Sequence, residues 1–302
     1  MYKGSHVVVC KLPKAGIGNQ LFPLMHAAVF AEINHLPLIV TGYNQIQLGP
    51  YLRKDKNKRR YNGYFKFQKN FFLQQLDKVR IQLLKKRKMV VYEPVIEELA
   101  IQNLPGKVFW FEQIPAYHDY FGKLSKCREV AKKLLLSLLC DNIKAKVHEY
   151  EPPVIGVHIR MGDFRQLASG EKFVGGHVRA PEEYYINIIE GIRKIKGELL
   201  HVTIFTDGYS SELKRILKLP FITIAAEKPD IADILALSES KIIIMAPGST
   251  FSAWAAFLSD SIVIKFTNQN KLLRAENSGF KYEGAFDLYD KDLINQIKQI
   301  HE

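Results

Sequence analysis

From residue 154 onward, short apolar runs alternate with helical patterns, and this alternation leaves few folds open to the chain. The runs cover 154–159, 202–206, 221–224, 241–245 and 262–266. Between them, helical spacing covers 181–196, 210–217, 231–240 and 250–258. Runs this short have the length of buried strands rather than of helices. Strand and helix in strict alternation argue for an α/β fold, a parallel sheet with helices on both faces.

The front of the chain opens the same way. A strand-like run at 6–10 leads into Gly16-Ile17-Gly18-Asn19-Gln20, a helical pattern at 21–33 and a second strand-like run at 38–41. Asn19 is expected to be the N-cap of that helix, with Pro23 in its first turn, where a missing N–H is tolerated. Residues 50–90 are basic, aromatic and irregular, with helical stretches around 70–88, and a helical pattern runs through 120–147. Glu151-Pro152-Pro153 stops any helix and marks a candidate boundary. A chain of 302 residues is long enough for two domains. The expected organisation is therefore two facing Rossmann-like halves, 1–150 and 151–302, with a cleft between them.

Charge divides at the same place. Residues 1–150 hold 25 Lys+Arg against 11 Asp+Glu, a balance of +14, and residues 151–302 hold 18 against 20, a balance of −2. The basic clusters run from Arg53 to Arg60 and from Lys85 to Lys88. Such runs serve as solvated faces, or they meet an anionic membrane surface or a phosphate-bearing acceptor. Few aromatics interleave with them, which argues against nucleic acid as a partner. Cys10, Cys127 and Cys140 have no metal-type spacing, and their odd number suits a reducing compartment. No apolar run reaches the roughly 18–20 residues of a membrane span, no signal-peptide pattern opens the chain, and it contains no Asn-x-Ser/Thr sequon. The expectation is a cytoplasmic protein, peripheral at the inner face of the plasma membrane if the basic clusters act there.

Open parallel sheets bind ligands at the carboxyl ends of their strands, so polar residues just past strand ends are the natural site candidates. Four segments qualify. Gly16 and Gly18 let backbone approach a ligand ahead of a helix N-terminus, although Leu21 stands where a dinucleotide fingerprint needs a third glycine. In His158-Ile159-Arg160-Met161-Gly162-Asp163, His158 and Arg160 share one face of a strand end. The planar fork of Arg160 suits a diphosphate, and Asp163 can brace it. Asp207 follows a strand and reads either as a ligand group or as a helix cap. Asp233 sits in a helix, where its carboxylate can accept two hydrogen bonds from a guanine. Ser249 and Thr250 open another helix in the geometry that holds phosphate or ribose hydroxyls.

In this order the segments resemble glycosyltransferase family 11, the α-1,2-fucosyltransferases and their wider fucosyltransferase relatives. The resemblance is carried by Gly16 to Phe22, Val157 to Phe164, Phe205-Thr206-Asp207 and Asp233 to Leu258; residues 42–150 do not take part. It implies a GT-B fold with the donor site mainly in the C-terminal half. It also implies inverting transfer from GDP-fucose to a glycan hydroxyl, α-1,2 to galactose, with no metal and no cofactor. Other GDP-sugars, other linkages and a non-catalytic polyanion-binding protein are the alternatives. Carried over by position, Arg160 would hold the β-phosphate, and His158 and Asp233 the guanine. Ser249 and Thr250 would meet the diphosphate or ribose, with Asn19 beside the sugar and Gly18 next to it. Asp163 and Glu171 are the candidate bases by proximity in sequence. An oligosaccharide or lipid-linked glycan would be the acceptor. The chain departs from the family pattern at Met161 and Gly208, where an Arg and an Asp are usual, and at Gly248 and Ala253, where Asn and Trp are usual.

Overall fold

The computed structural model describes residues 6–43, 45, 48–98, 105–149, 151–266, 272–274 and 281–300. By its internal contacts the chain divides into two units: 1–47 with 60–144, and 48–59 with 145–302. Each contains one parallel sheet. The expected mixed α/β class is what the chain adopts.

In the first unit β1 (Val7–Lys11), α1 (Ile17–Ile33) and β2 (Leu38–Thr41) form the βαβ start. The short α2 (Gly49–Leu52) lies in the segment 48–59, which packs with the second unit although it precedes most of the first. Next come α3 (Phe71–Arg87), β3 (Met89–Tyr92), β4 (Lys107–Phe111) and α4 (Arg128–Leu138), and the division between the units falls within α5 (Asp141–His148). The strand order is β2-β1-β4-β3, all parallel. β3 begins at the end of the stretch 50–90 that reads as irregular, and β4 lies beyond it, where no element is expected; Lys107-Val108-Phe109-Trp110-Phe111 is apolar but too short to separate strand from helix by period.

The first helix corrects the expectation for Asn19. Gly16 is the N-cap, at φ −60 and ψ 158, so Asn19 is the third helical residue and Pro23 the seventh. Pro23 therefore lies inside the helix and withholds the N–H that the Asn19 carbonyl would accept. The helix is kept by burial instead: its residues from Leu21 to Ala31 are all buried.

In the second unit β5 (Ile155–Ile159), α6 (Glu182–Lys196), β6 (Val202–Thr206), β7 (Ile222–Ile224), α7 (Asp230–Ser238), β8 (Ile242–Ile244), α8 (Thr250–Leu258), β9 (Ile262–Ile264), β10 (Glu283–Gly284) and α9 (Lys291–Lys298) follow one another. The order β10-β9-β8-β5-β6-β7 is again parallel throughout. The helix expected at 210–217 is two short 3₁₀ turns, Ser210–Glu212 and Ile216–Lys218. Glu212 is drawn to the backbone N–H of Tyr209, which closes the first turn early. Asp290, of the pair Asp290 and Asp292, caps α9 by accepting from the N–H groups of Asp292 and Leu293.

This sheet order places the site. The chain leaves β5 toward β6 and β7 on one side, then returns to β8 on the other, so direction reverses at β5. Such a reversal opens a crevice at the carboxyl ends of the strands beside it. His158 and Arg160 stand at that end of β5.

Candidate functional site

Successive strand residues face opposite sides of a sheet. Ile155, Val157 and Ile159 join a buried cluster with Tyr185, Ile188 and Ile192 of α6 and Leu293 and Ile297 of α9. Gly156 and His158 face α7 and α8 instead. A Cβ on Gly156 would lie 2.6 Å from Leu237, and the His158 ring stacks on Phe251 with centroids 4.5 Å apart and planes at 19°.

Beyond the strand ends, within the second unit, lies a cavity of about 240 Å³. That is several times the roughly 30 Å³ a water occupies in the liquid, enough room for a ligand group. His158 and Arg160, Thr206 and Asp207, 225–228, Asp230 and Asp233 of α7, and Phe251 of α8 line it, with Lys56 and Asn57 from the segment 48–59.

Arg160 is fixed by two carboxylates. Its Nη1 meets Asp207 Oδ2 at 2.6 Å and its Nη2 meets Asp163 Oδ1 at 2.5 Å. Asp163 Oδ2 in turn takes Arg59 Nη2 at 2.9 Å, and Asp207 Oδ1 accepts the Met161 N–H at 2.8 Å. Gly162 makes this possible, because a Cβ there would collide with Asp207 Oδ2. A guanidinium whose plane is already set loses less freedom when it grips an oxyanion.

Burial raises the Asp163 carboxyl, but Arg160 and Arg59 together outweigh burial and hold it well below the usual carboxylate range. A carboxylate shared by two guanidiniums is a weak proton acceptor. Glu171 is bound by both Arg165 nitrogens and the Ala168 N–H; the Arg165 bond first, and that N–H second, bring it down to about 2. It stands on an exposed pair and does not line the cavity. Burial, reinforced by nearby Arg160, lowers His158 to about 3, so its imidazole is neutral at pH 7. Its Nδ1 is buried with no hydrogen-bond partner among the described residues.

Asp230 goes the other way. Lost hydration pushes it up to about 6 against the pull of Asn57 Nδ2, which donates to Oδ1, and Asp207 adds repulsion. With the folded value above the unfolded one, protonation favours the fold. That contribution is present below about pH 4 and lost as pH rises through about 6. Asp230→Asn keeps an acceptor for Asn57 and removes the charge, so it should raise the melting temperature at pH 7.5, with the gain vanishing below about pH 4. Thermal melts across that range check this; a gain independent of pH would contradict it.

Of the residues expected from sequence, the structure gathers His158, Arg160, Asp207 and Asp233 around one cavity and sets Asp163 against Arg160. Ser249 is the N-cap of α8 and Thr250 its first residue, yet the cavity is lined by Phe251, the next residue. Gly18 and Asn19 belong to the first unit, where the Asn19 Oδ1 is buried without a partner among the described residues. Sequence reasoning missed Lys56, Asn57, Arg59, Asp230 and Phe251. Asp230 was within reach, since it precedes Asp233 by three and shares its helix face.

The departures at 161 and 208 prove to be one feature. A Cβ on Gly208 would lie 2.6 Å from Met161 Cγ, and Met161 is buried. A buried apolar side chain over a glycine thus stands where the family has Arg and Asp. Gly248 has φ +73, a region that Asn also tolerates, and a Cβ there would lie 2.7 Å from the Gly176 carbonyl oxygen.

The cavity at the sheet's switch point, with its arginine braced by two carboxylates, stands where an open parallel sheet binds an anionic ligand. The sequence matches the family model "Glycosyl transferase family 11" over residues 9–286, and the chain belongs to that family. No curated protein matches it. Among solved structures it is similar to an Arabidopsis thaliana FUT1 variant in complex with GDP, at 14% identity, TM-score 0.46, and coverage of 91% of this chain and 72% of that one. It is also similar to fucosyltransferase NodZ from Bradyrhizobium, at 14% identity, TM-score 0.46, and coverage of 87% and 96%. A third is POFUT1 in complex with GDP, at 14% identity, TM-score 0.48, and coverage of 86% and 95%.

Proposed function

We propose that this glycosyltransferase moves fucose from GDP-fucose to a hydroxyl of a glycan acceptor, α-1,2 to galactose, with inversion and without a metal. The observation that carries the reading is the convergence of Arg160, Asp233 and His158 on one cavity. Arg160 offsets charge growing on the departing diphosphate, helped by the N-terminus of α8 at Ser249 and Thr250. Asp233 accepts from the guanine N1–H and exocyclic amine, and neutral His158 contributes its ring. Asp207 and Asp163 aim the arginine. In the first unit, the Asn19 Oδ1, buried without a partner among the described residues, supports a role for Asn19 as a ligand group, because an unmet buried acceptor costs about 1–3 kcal/mol.

The Met161–Gly208 contact favours a second reading, transfer of another GDP-sugar or formation of another linkage, since it sets a buried side chain of the core cluster and a glycine beside Arg160 and Asp207, where the family has an arginine and an aspartate. An oligosaccharide or lipid-linked glycan would be the acceptor in either case, and the cytoplasm the compartment. A screen of GDP-sugars against an acceptor panel in EDTA is the test: transfer of fucose should persist undiminished. Complete loss of activity that Mn²⁺ restores would contradict the metal-free mechanism, and transfer from a different GDP-sugar alone would favour the second reading.

A further inference from the structure

The outer face of α3 is apolar where a helix on a soluble surface is normally polar. At about 100° per residue, Phe72, Leu76, Val79 and Leu83 fall within an arc of about 60°. All four are exposed, at 69%, 51%, 54% and 47%. Ile81, which is buried, lies on the opposite side of the helix, with Gln74 and Asp77 buried near it. The stripe is therefore not the core-facing side of α3; it is a second apolar face directed away from the core. Basic residues flank it, Lys86 on one edge and Arg80 and Arg87 on the other. Residues 71–88 hold six Lys+Arg (Lys78, Arg80, Lys85, Lys86, Arg87, Lys88) against one acid, Asp77, a balance of +5. No described helix is long and apolar enough to cross a membrane.

An amphipathic helix with an apolar stripe and basic rims lies in the plane of a bilayer interface, its apolar side chains among the acyl chains and its cations against anionic headgroups. We infer that α3 docks this enzyme on an anionic lipid surface, through Phe72, Leu76, Val79 and Leu83 with Lys86 and Arg87 at the rim. The charge decides the occupant: a second copy of the chain would set this basic helix against its own kind or against a near-neutral unit, whereas an anionic bilayer complements it. The other basic cluster has a different fate. Lys56 pairs with Glu227 at 2.9 Å and Arg59 with Asp163, so that segment is folded against the second unit. The inference does not depend on the donor assigned above.

The test is co-sedimentation of the full chain with phosphatidylcholine vesicles, with and without about 30% phosphatidylglycerol. The protein should pellet with the anionic vesicles only and be released as salt rises from about 0.05 to 0.5 M. Leu76→Glu with Val79→Glu should lower the bound fraction at least about tenfold, and each of Lys86→Glu and Arg87→Glu by about fivefold or more. Melting curves and GDP titration confirm that the variants stay folded. Equal binding to neutral vesicles, or undiminished binding by the Leu76/Val79 variant, would overturn the inference. So would concentration-dependent dimers, abolished by the same variant, with no vesicle binding. The vesicle composition and salt arms read the wild-type chain, so the inference remains open to refutation even if a variant fails to fold.

Discussion

Arg160→Ala should lower turnover of GDP-fucose by at least about 10–100-fold. A hydrogen bond to a charged group is worth about 1.5–3 kcal/mol, and 1.4 kcal/mol is a factor of ten in rate. The loss should appear mainly in kcat, because negative charge on the diphosphate grows as the bond to the sugar breaks. Part of the effect has a second source. Without the guanidinium, Asp163 retains Arg59 but Asp207 loses its 2.6 Å partner, and an uncompensated part-buried carboxylate displaces its neighbours. Asp207→Asn separates the two: it keeps an acceptor for the Met161 N–H while weakening the aim of Arg160, so it should cost less than Arg160→Ala. Steady-state kinetics of donor hydrolysis and transfer check both variants. Wild-type kcat in a folded Arg160→Ala enzyme would remove the arginine from the mechanism.

Asp233→Ala should erase the preference for GDP over UDP and ADP. Two hydrogen bonds from guanine to one carboxylate would be lost, which lowers GDP affinity by about 10–100-fold. UDP and ADP lack that donor pair, so their affinities should barely move. Competition titrations with the three nucleotides read the effect directly. A preference that survives the substitution would assign base recognition to other groups lining the cavity, His158 and Asp230 first among them.

The second unit was legible because its central strands β5, β8 and β9 are buried on both faces and therefore read as continuous apolar runs between helical patterns. Strand ends at Ile159 and Thr206 located Arg160 and Asp207 for the same reason. The first unit was harder. β3 and β4 are short, and the basic segment between β2 and α3 has no period at all. Lys56, Asn57 and Arg59 could not be found from pattern, because what brings the first two to the cavity and Arg59 to Asp163 is ion pairing with Glu227 and Asp163 and a hydrogen bond to Asp230 across more than a hundred residues of chain. The Asn19 cap was misplaced because glycines at 16 and 18 mask where the helix begins; burial of α1 carries the helix through Pro23. Met161 and Gly208 looked like two separate losses in sequence and are one contact in space.

Calorimetric titration of the wild-type chain with GDP, UDP and ADP in EDTA, beside Arg160→Ala, tests the nucleotide assignment most directly. GDP should bind at least tenfold tighter than UDP or ADP, and the Arg160 variant should lose affinity for all three diphosphates. Equal affinity for the three nucleotides, or GDP binding unchanged in the Arg160 variant, would contradict it.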